Sequence, residues 1–281
     1  MDIRDLTIRE TTRVSERCVL LKLTDEEQPL SEQIFPGQFV EVRIDGSPKT
    51  FLRRPISICF VDYAANELWL LVAAVGDGTR RLAAMKPGEK LNCVLPLGNR
   101  FKWDSLRDKK VLLVGGGVGV APLLFMGAVV GEASKLCNDE AAAKLGSFTH
   151  YGNAKLGSFT HFLLGARKKD DLLLLDEFRK YGRVEVTTED GSMGVKGFVT
   201  DHPLLQQEHF DLILTCGPTP MMKAVARYAR KNDIDCQVSL ENMMACGLGA
   251  CLCCVEKTVR GNLCVCKDGP VFNIKELLWQ S

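Results

Sequence analysis

Six cysteines fall within the twenty-one residues from Cys246 to Cys266, in "ACGLGACLCCVEKTVRGNLCVCKDGPVF". The other six (Cys18, Cys59, Cys93, Cys137, Cys216 and Cys236) are scattered through the 281-residue chain. A thiol-rich run can staple a secreted fold, bind a metal centre or do redox chemistry, and the compartment decides between these. The N-terminal stretch MDIRDLTIRE carries charges throughout and has no apolar core, which is not the pattern of a secretory signal. A disulfide framework is therefore not expected. The run reads as a metal or redox site in a cytoplasmic protein.

Cys246, Cys251, Cys254 and Cys266 give the spacing C-x4-C-x2-C-x11-C. The x4, x2 portion is the spacing with which plant-type 2Fe–2S sites wrap a cluster, a distant fourth cysteine closing the set. Gly247 and Gly249 suit such a loop, because they permit positive φ and let backbone N–H groups approach the sulfurs. Structural zinc is the alternative. It also takes four thiolates, but usually from two C-x2-C pairs. Cys253 and Cys264 are left over, and spacing alone leaves Cys264 and Cys266 both open as the fourth ligand.

A 2Fe–2S cluster carries one electron at a time and makes no bond to a substrate, so neighbouring groups must feed it. In "RRPISI" (Arg53 to Ile58) a guanidinium can pair with a cofactor phosphate while the Ser57 hydroxyl approaches a ring. "GDGT" (Gly76 to Thr79) opens a short helix whose free N–H groups favour a pyrophosphate. "VGGGVGVAP" (Val114 to Pro122) lies between a strand and a helix, the context of a dinucleotide loop. Val120 stands where G-x-G-x-x-G requires its third glycine, so that fingerprint is not met. "TCGPTPMM" (Thr215 to Met222) ends a later strand and starts another helix. The two glycine turns are expected side by side at the carboxyl ends of a parallel sheet, where ligands bind. Cys216, at that edge, is either a buried thiol or a contact to the nicotinamide. Arg167, Lys168 and Lys169 either hold a 2′-phosphate or form a solvated surface, so the residues alone do not separate NAD from NADP.

These motifs sit on two kinds of element. "CVLLKL", "QFVEVRI", "ISICFV" and "LWLLVAAV" are short runs of strand formers between turn residues, as in an antiparallel barrel or sandwich. "DGTRRLAAM" predicts a short helix, and a strand follows around "KLNCVLPLG". From about Lys109 strands and helices alternate, the rhythm of a parallel sheet. The expected organisation is an antiparallel β-barrel over 1–105, an α/β nucleotide-binding domain over 106–234 and a small 2Fe–2S subdomain over 235–281. Residues 111–131 carry no charge, but Gly115, Gly116, Gly117, Gly119 and Pro122 would break a membrane helix. A strand, a turn and a buried helix are expected there instead. A net charge of +1 argues against nucleic acid or an anionic membrane as the main partner. "AKLGSFTH" occurs at 143–150 and again at 154–161. The second copy is the one expected to enter a strand, and the first reads as a duplication held in a surface loop.

"GQF", "RRPIS", "GDGT", "PLGN", "GGGVGVAPL", "TCGPTPM" and "ENMMACGLGACLCC…CKDGPVF" follow one another in the order seen in the ferredoxin–NADP reductase superfamily. The tail resembles the electron-transfer subunits of type B dihydroorotate dehydrogenase, and the likeness runs over roughly residues 5 to 279. It implies FAD on the barrel, lined by Arg54, Pro55, Ile56 and Ser57, then by Leu71, Val72, Ala73, Gly78 and Thr79. It implies NAD(H) as co-substrate at Gly115, Gly116, Gly117, Gly119, Cys216, Gly217 and Pro218. "CKDGPVF" aligns Cys266 with the family's fourth cluster ligand. Ser57 and Cys216 are the residues expected to act in the chemistry. The implied function is that of an oxidoreductase subunit in pyrimidine (UMP) biosynthesis. An FMN-containing partner oxidises dihydroorotate, and electrons pass through this chain's 2Fe–2S cluster and FAD to NAD+. A heterotetramer of two plus two subunits is expected, with no dihydroorotate site on this chain. The alternatives are an NAD(P)-linked subunit of a hydrogenase or sulfite reductase, and a non-enzymatic iron–sulfur redox sensor.

Overall fold

The computed structural model describes residues 1–102, 109–135 and 160–279. The chain forms two compact units, Met1–Arg100 with Leu240–Val271, and Phe101–Ser239 with Phe272–Ser281.

The first unit is built on a closed barrel of β1 (Asp2–Arg13), β2 (Cys18–Thr24), β3 (Phe39–Val42), β4 (Arg54–Asp62), β5 (Glu67–Ala73) and β6 (Lys90–Leu97). Its strand order is β1-β2-β5-β4-β3-β6, all neighbours antiparallel, and α1 (Asp77–Ala83) connects β5 to β6. β6 shows why such runs fold this way: Leu91, Cys93, Leu95 and Leu97 are buried while the residues between them are not. β1 is a strand the sequence reading lacked. Its charges (Asp2, Asp5, Arg9, Glu10) are exposed, and only Leu6, Thr7 and Ile8 are buried.

β4 changes partner along its length. Arg54 to Ser57 pair with Val42 to Phe39 of β3, whereas the ladder to β5 runs from Ile58↔Leu70 to Asp62↔Glu67. Leu71, Val72 and Ala73 of β5 pair with Leu20, Val19 and Cys18 of β2. The strands therefore part between 54–57 and 71–73, and a backbone edge of 71–73 lies outside the β4 ladder.

The second unit follows the expected alternation. β7 (Val111–Gly116) leads through a 3-10 turn, Gly117–Val120, into α2 (Ala121–Lys135). β8 (Thr160–Ala166), α3 (Leu175–Arg179), β9 (Arg183–Thr188), β10 (Val195–Lys196), α4 (Leu204–Gln207), β11 (Leu212–Cys216), α5 (Thr219–Lys231) and β12 (Asp235–Ser239) come next. β10, β9, β8, β7, β11 and β12 are parallel neighbours in that order. All six residues of β7 are buried, as a central parallel strand requires. α5 buries Met222, Val225, Ala226 and Ala229, a stripe at helical spacing. Residues 111–131 thus form a strand, a turn and a helix, and no helix among the described residues is long and apolar enough to cross a membrane. Both AKLGSFTH copies lie outside the described residues except Thr160 and His161, where β8 begins.

The cysteine-rich segment adds a hairpin, β13 (Val255–Thr258) and β14 (Gly261–Cys264), one turn of helix, α6 (Val265–Asp268), and β15 (Val271–Asn273). Here the domain boundaries differ from expectation. β12 is a strand of the nucleotide sheet, and β15 follows it at the sheet edge. Residues 240–271 belong to the barrel unit and 272–281 to the other. Residues 235–281 do not make one body, because parallel pairing of Asp235–Ser239 with β11 claims the segment's first strand.

Candidate functional site

On the barrel, Arg53 and Arg54 are split by the fold. Arg53 donates to the carbonyls of Glu41 and Asn92 at 3.2 and 2.9 Å, tying β3 to β6. Arg54 donates to the carbonyls of Leu52 and Arg53, and its Nε lies 3.3 Å from where a Cβ on Gly78 would be. α1 therefore begins against the Arg54 guanidinium. Thr79 shapes that helix start, its hydroxyl accepting from the N–H groups of Val75 and Gly76 at 3.1 and 3.0 Å. The Arg54 guanidinium thus packs at the start of α1, the backbone edge of 71–73 lies outside the β4 ladder, and Pro55 and Ser57 are half-buried. A phosphate at the start of α1 would meet the Arg54 guanidinium. Ile56, which pairs with Val40, is buried at 9% exposure.

In the second unit the two glycine turns meet. Gly115 of β7 lies beside Cys216 of β11 in the parallel register. A Cβ on Gly119 would lie 2.4 Å from Gly217 Cα and 2.7 Å from the Cys216 carbonyl carbon, so only glycine permits this approach. Gly116, Gly117 and Pro218 belong to the same pair of turns, at the carboxyl ends of β7 and β11. Cys216 is fully buried. Gln237 of β12 exchanges two hydrogen bonds of 2.8 Å with the backbone of Lys102, steadying the strand beyond β11.

The cysteine loop is held by N–H···S bonds. Leu248 N–H donates to Cys246 Sγ at 3.3 Å, Gly249 N–H to Cys266 Sγ at 3.1 Å, and Cys266 N–H to Cys254 Sγ at 3.3 Å. The backbone donors of Leu248 and Cys251 pull the Cys246 thiol down to about 6. Burial, with Cys254 beside it, pushes Cys266 up to about 12. Crowded sulfurs resist ionisation together, and a metal centre offsets that by binding the thiolates directly. Cys264 behaves differently: its Sγ faces the Gly249 carbonyl at 3.8 Å, as a donor. Backbone N–H groups aimed at sulfur suit a ligating thiolate, so the arrangement favours Cys266 over Cys264. Cys253 is exposed. Among the described residues no three His, Cys, Asp or Glu side chains are grouped as ligands of a single ion. A 2Fe–2S cluster divides its four thiolates between two irons, and Cys246, Cys251, Cys254 and Cys266 would hold it.

One residue of this region escaped the sequence reading. Glu41 of β3 is 1% exposed, and among the described residues neither carboxylate oxygen has a hydrogen-bond partner. Burial pushes its carboxyl up to about 7, and the nearby Arg53 opposes that rise. The signal was a single acid in "FVEV", on the face that carries buried Phe39.

Two family models match the chain. An iron–sulfur cluster binding domain of dihydroorotate dehydrogenase B covers residues 241–278, and an oxidoreductase NAD-binding domain covers residues 113–227. A protein of Fusobacterium nucleatum named dihydroorotate dehydrogenase B (NAD(+)), electron transfer subunit, is 38% identical over 279 residues, 97% of each chain. The chain belongs to this family of electron transfer subunits. A counterpart with the same name in Shouchella clausii is 37% identical over the same share of both chains. Among solved structures, the NADH-dependent reduced ferredoxin-NADP oxidoreductase matches with a TM-score of 0.78 and 29% identity, covering 98% of this chain and 90% of that one. Phthalate dioxygenase reductase, at 18% identity and a TM-score of 0.59, covers 81% of this chain and 64% of that one, and shares the fold. As an electron transfer subunit of dihydroorotate dehydrogenase B, the chain is an oxidoreductase component. Its iron–sulfur domain contains Cys246, Cys251, Cys254 and Cys266, and its NAD-binding domain contains both glycine turns.

Proposed function

We propose that this chain carries electrons from an FMN-containing dihydroorotate-oxidising partner to NAD+, through a 2Fe–2S cluster on Cys246, Cys251, Cys254 and Cys266 and an FAD on the barrel. The observation that carries this reading is the assignment of residues 240–271 to the barrel unit, which puts the cysteine loop and the residues read as flavin-lining in one body. Such pairing has a chemical reason. A nicotinamide exchanges two electrons as hydride and a cluster exchanges one, and FAD, when bound, supplies the conversion.

The chain's own residues then have defined work. Arg54 and the N–H groups opening α1 hold the flavin's phosphates, the backbone of Leu71, Val72 and Ala73 lines its ring system, and the Ser57 hydroxyl approaches the ring. Gly115, Gly116, Gly117 and Gly119 let the NAD pyrophosphate lie against backbone, with Gly217 and Pro218 bordering it. Cys216 closes the nicotinamide end as a buried thiol. Met243, Leu248 and Leu252, exposed around the cysteine loop, suit a protein partner brought close to the cluster. The complex is a heterotetramer of two plus two subunits in the cytoplasm.

The test is to co-express the chain with its FMN-containing partner. The purified complex should contain FAD, iron and acid-labile sulfide, sediment as two plus two, and reduce NAD+ when given dihydroorotate. Zinc in place of iron and sulfide would overturn the cluster assignment. NADH oxidation with an artificial acceptor, but no dihydroorotate-driven NAD+ reduction, would overturn the electron path.

A further inference from the structure

Along β3, Val40 and Val42 point into the barrel, while Phe39 and Glu41 take the other face and are buried all the same. What lies over Glu41 is the cysteine loop. Gly247 has φ +68°, and a Cβ there would come within 2.7 Å of Glu41 Cγ and 3.1 Å of Oε1. The loop backbone next to Cys246 thus rests on the carboxyl. On its other flank Glu41 pairs with Pro55, between the Arg54 and Ile56 pairs of the same ladder, so it lies in register with the residues assigned to the flavin. Arg53 does not neutralise it by contact, since that guanidinium binds the Glu41 carbonyl and Asn92. A buried carboxyl without a hydrogen-bond partner is costly. Here it lies under the cysteine loop and pairs with a residue of the motif assigned to the flavin.

We propose that Glu41 is a positioning residue for electron transfer, setting how readily the centre held by the Cys246 loop takes an electron relative to the flavin beside it. The inference rests on the cluster and flavin reading above. Moving one electron between the two sites forms and breaks no bond, so the local charge is what a neighbouring side chain can change. Negative charge in a poorly solvated place beside the ligating sulfurs opposes the added electron. Removing it without changing the shape favours the reduced cluster.

The experiment is a dye-referenced reductive titration of the full chain at pH 8.5, with cluster reduction followed by electron paramagnetic resonance. Glu41→Gln and Glu41→Met should keep iron, sulfide and FAD, and shift the partition of the electron toward the cluster at least tenfold, which is 59 mV for one electron. Glu41→Asp, which keeps the charge, should stay within threefold of the wild type. Neutral variants within threefold of the wild type would overturn the proposal, as would Asp shifting as far as Gln. Loss of iron from both neutral variants would make the carboxyl a structural prop and overturn it too. Wild-type protein without iron and sulfide would instead overturn the cluster reading itself, and metal analysis shows this before any titration.

Discussion

Gly119→Ala tests the nucleotide site through one methyl group. The new Cβ would sit 2.4 Å from Gly217 Cα, 2.5 Å from Gly217 N and 2.7 Å from the Cys216 carbonyl carbon. All three atoms are backbone, so no side chain can swing aside. Ordinary carbon contact needs about 3.5–4 Å, so the two turns must separate by roughly 1 Å. Overpacking of this kind costs about 1–3 kcal/mol, and each kcal/mol lowers the melting temperature by roughly 2–4 °C in a body of this size. The catalytic effect should be larger than the stability effect. A 1 Å displacement of positioning groups can cost about 100-fold in rate, so kcat/KM for NADH with ferricyanide should fall between tenfold and 100-fold. The flavin and cluster spectra should not change, because their residues belong to the other unit. Gly119→Ala with NADH kinetics within twofold of the wild type and an unchanged melting temperature would refute the reasoning.

Cys266→Ser should lose or strongly perturb the cluster spectrum while keeping FAD, since oxygen is a harder ligand than thiolate and holds iron poorly. Cys264→Ser and Cys253→Ser should keep that spectrum, and the reverse pattern would reassign the fourth ligand. Arg54→Ala should weaken FAD retention by about 1.5–3 kcal/mol, the worth of a hydrogen bond to a charged group, so dialysis should strip flavin from the variant before the wild type. Removing residues 143–153 should leave folding, FAD content and NADH oxidation nearly intact, and insoluble protein would show that the first AKLGSFTH copy is structural.

Residue types and their spacing were enough to read the chemistry and most of the elements. Thiolate ligands on a tight loop must come from one short run, so the spacing of Cys246, Cys251 and Cys254 was legible without any fold. Strands β2 to β9 and β11 and helices α1, α2 and α5 were legible because apolar periodicity reports which face is buried, whereas the short α3, β10 and α4 were not. β1 was not, since its charges mask a strand that buries only three residues in its middle. Tertiary structure decided what depends on partners distant in sequence. Arg53 and Arg54 are adjacent and chemically alike, and only the fold gives one the Glu41 and Asn92 carbonyls and the other the start of α1. Spacing alone left Cys264 and Cys266 open as the fourth ligand, and the Gly249 N–H that points at Cys266, with the Gly249 carbonyl at Cys264, adds a tertiary argument for Cys266 to that of the resemblance. The expected boundary at 235 moved because β12 finds its hydrogen bonds on β11. Glu41 became visible only when a loop more than two hundred residues away in sequence closed over it. Local pattern reports a residue's own face and type, whereas burial of a polar group is a property of what folds on top of it.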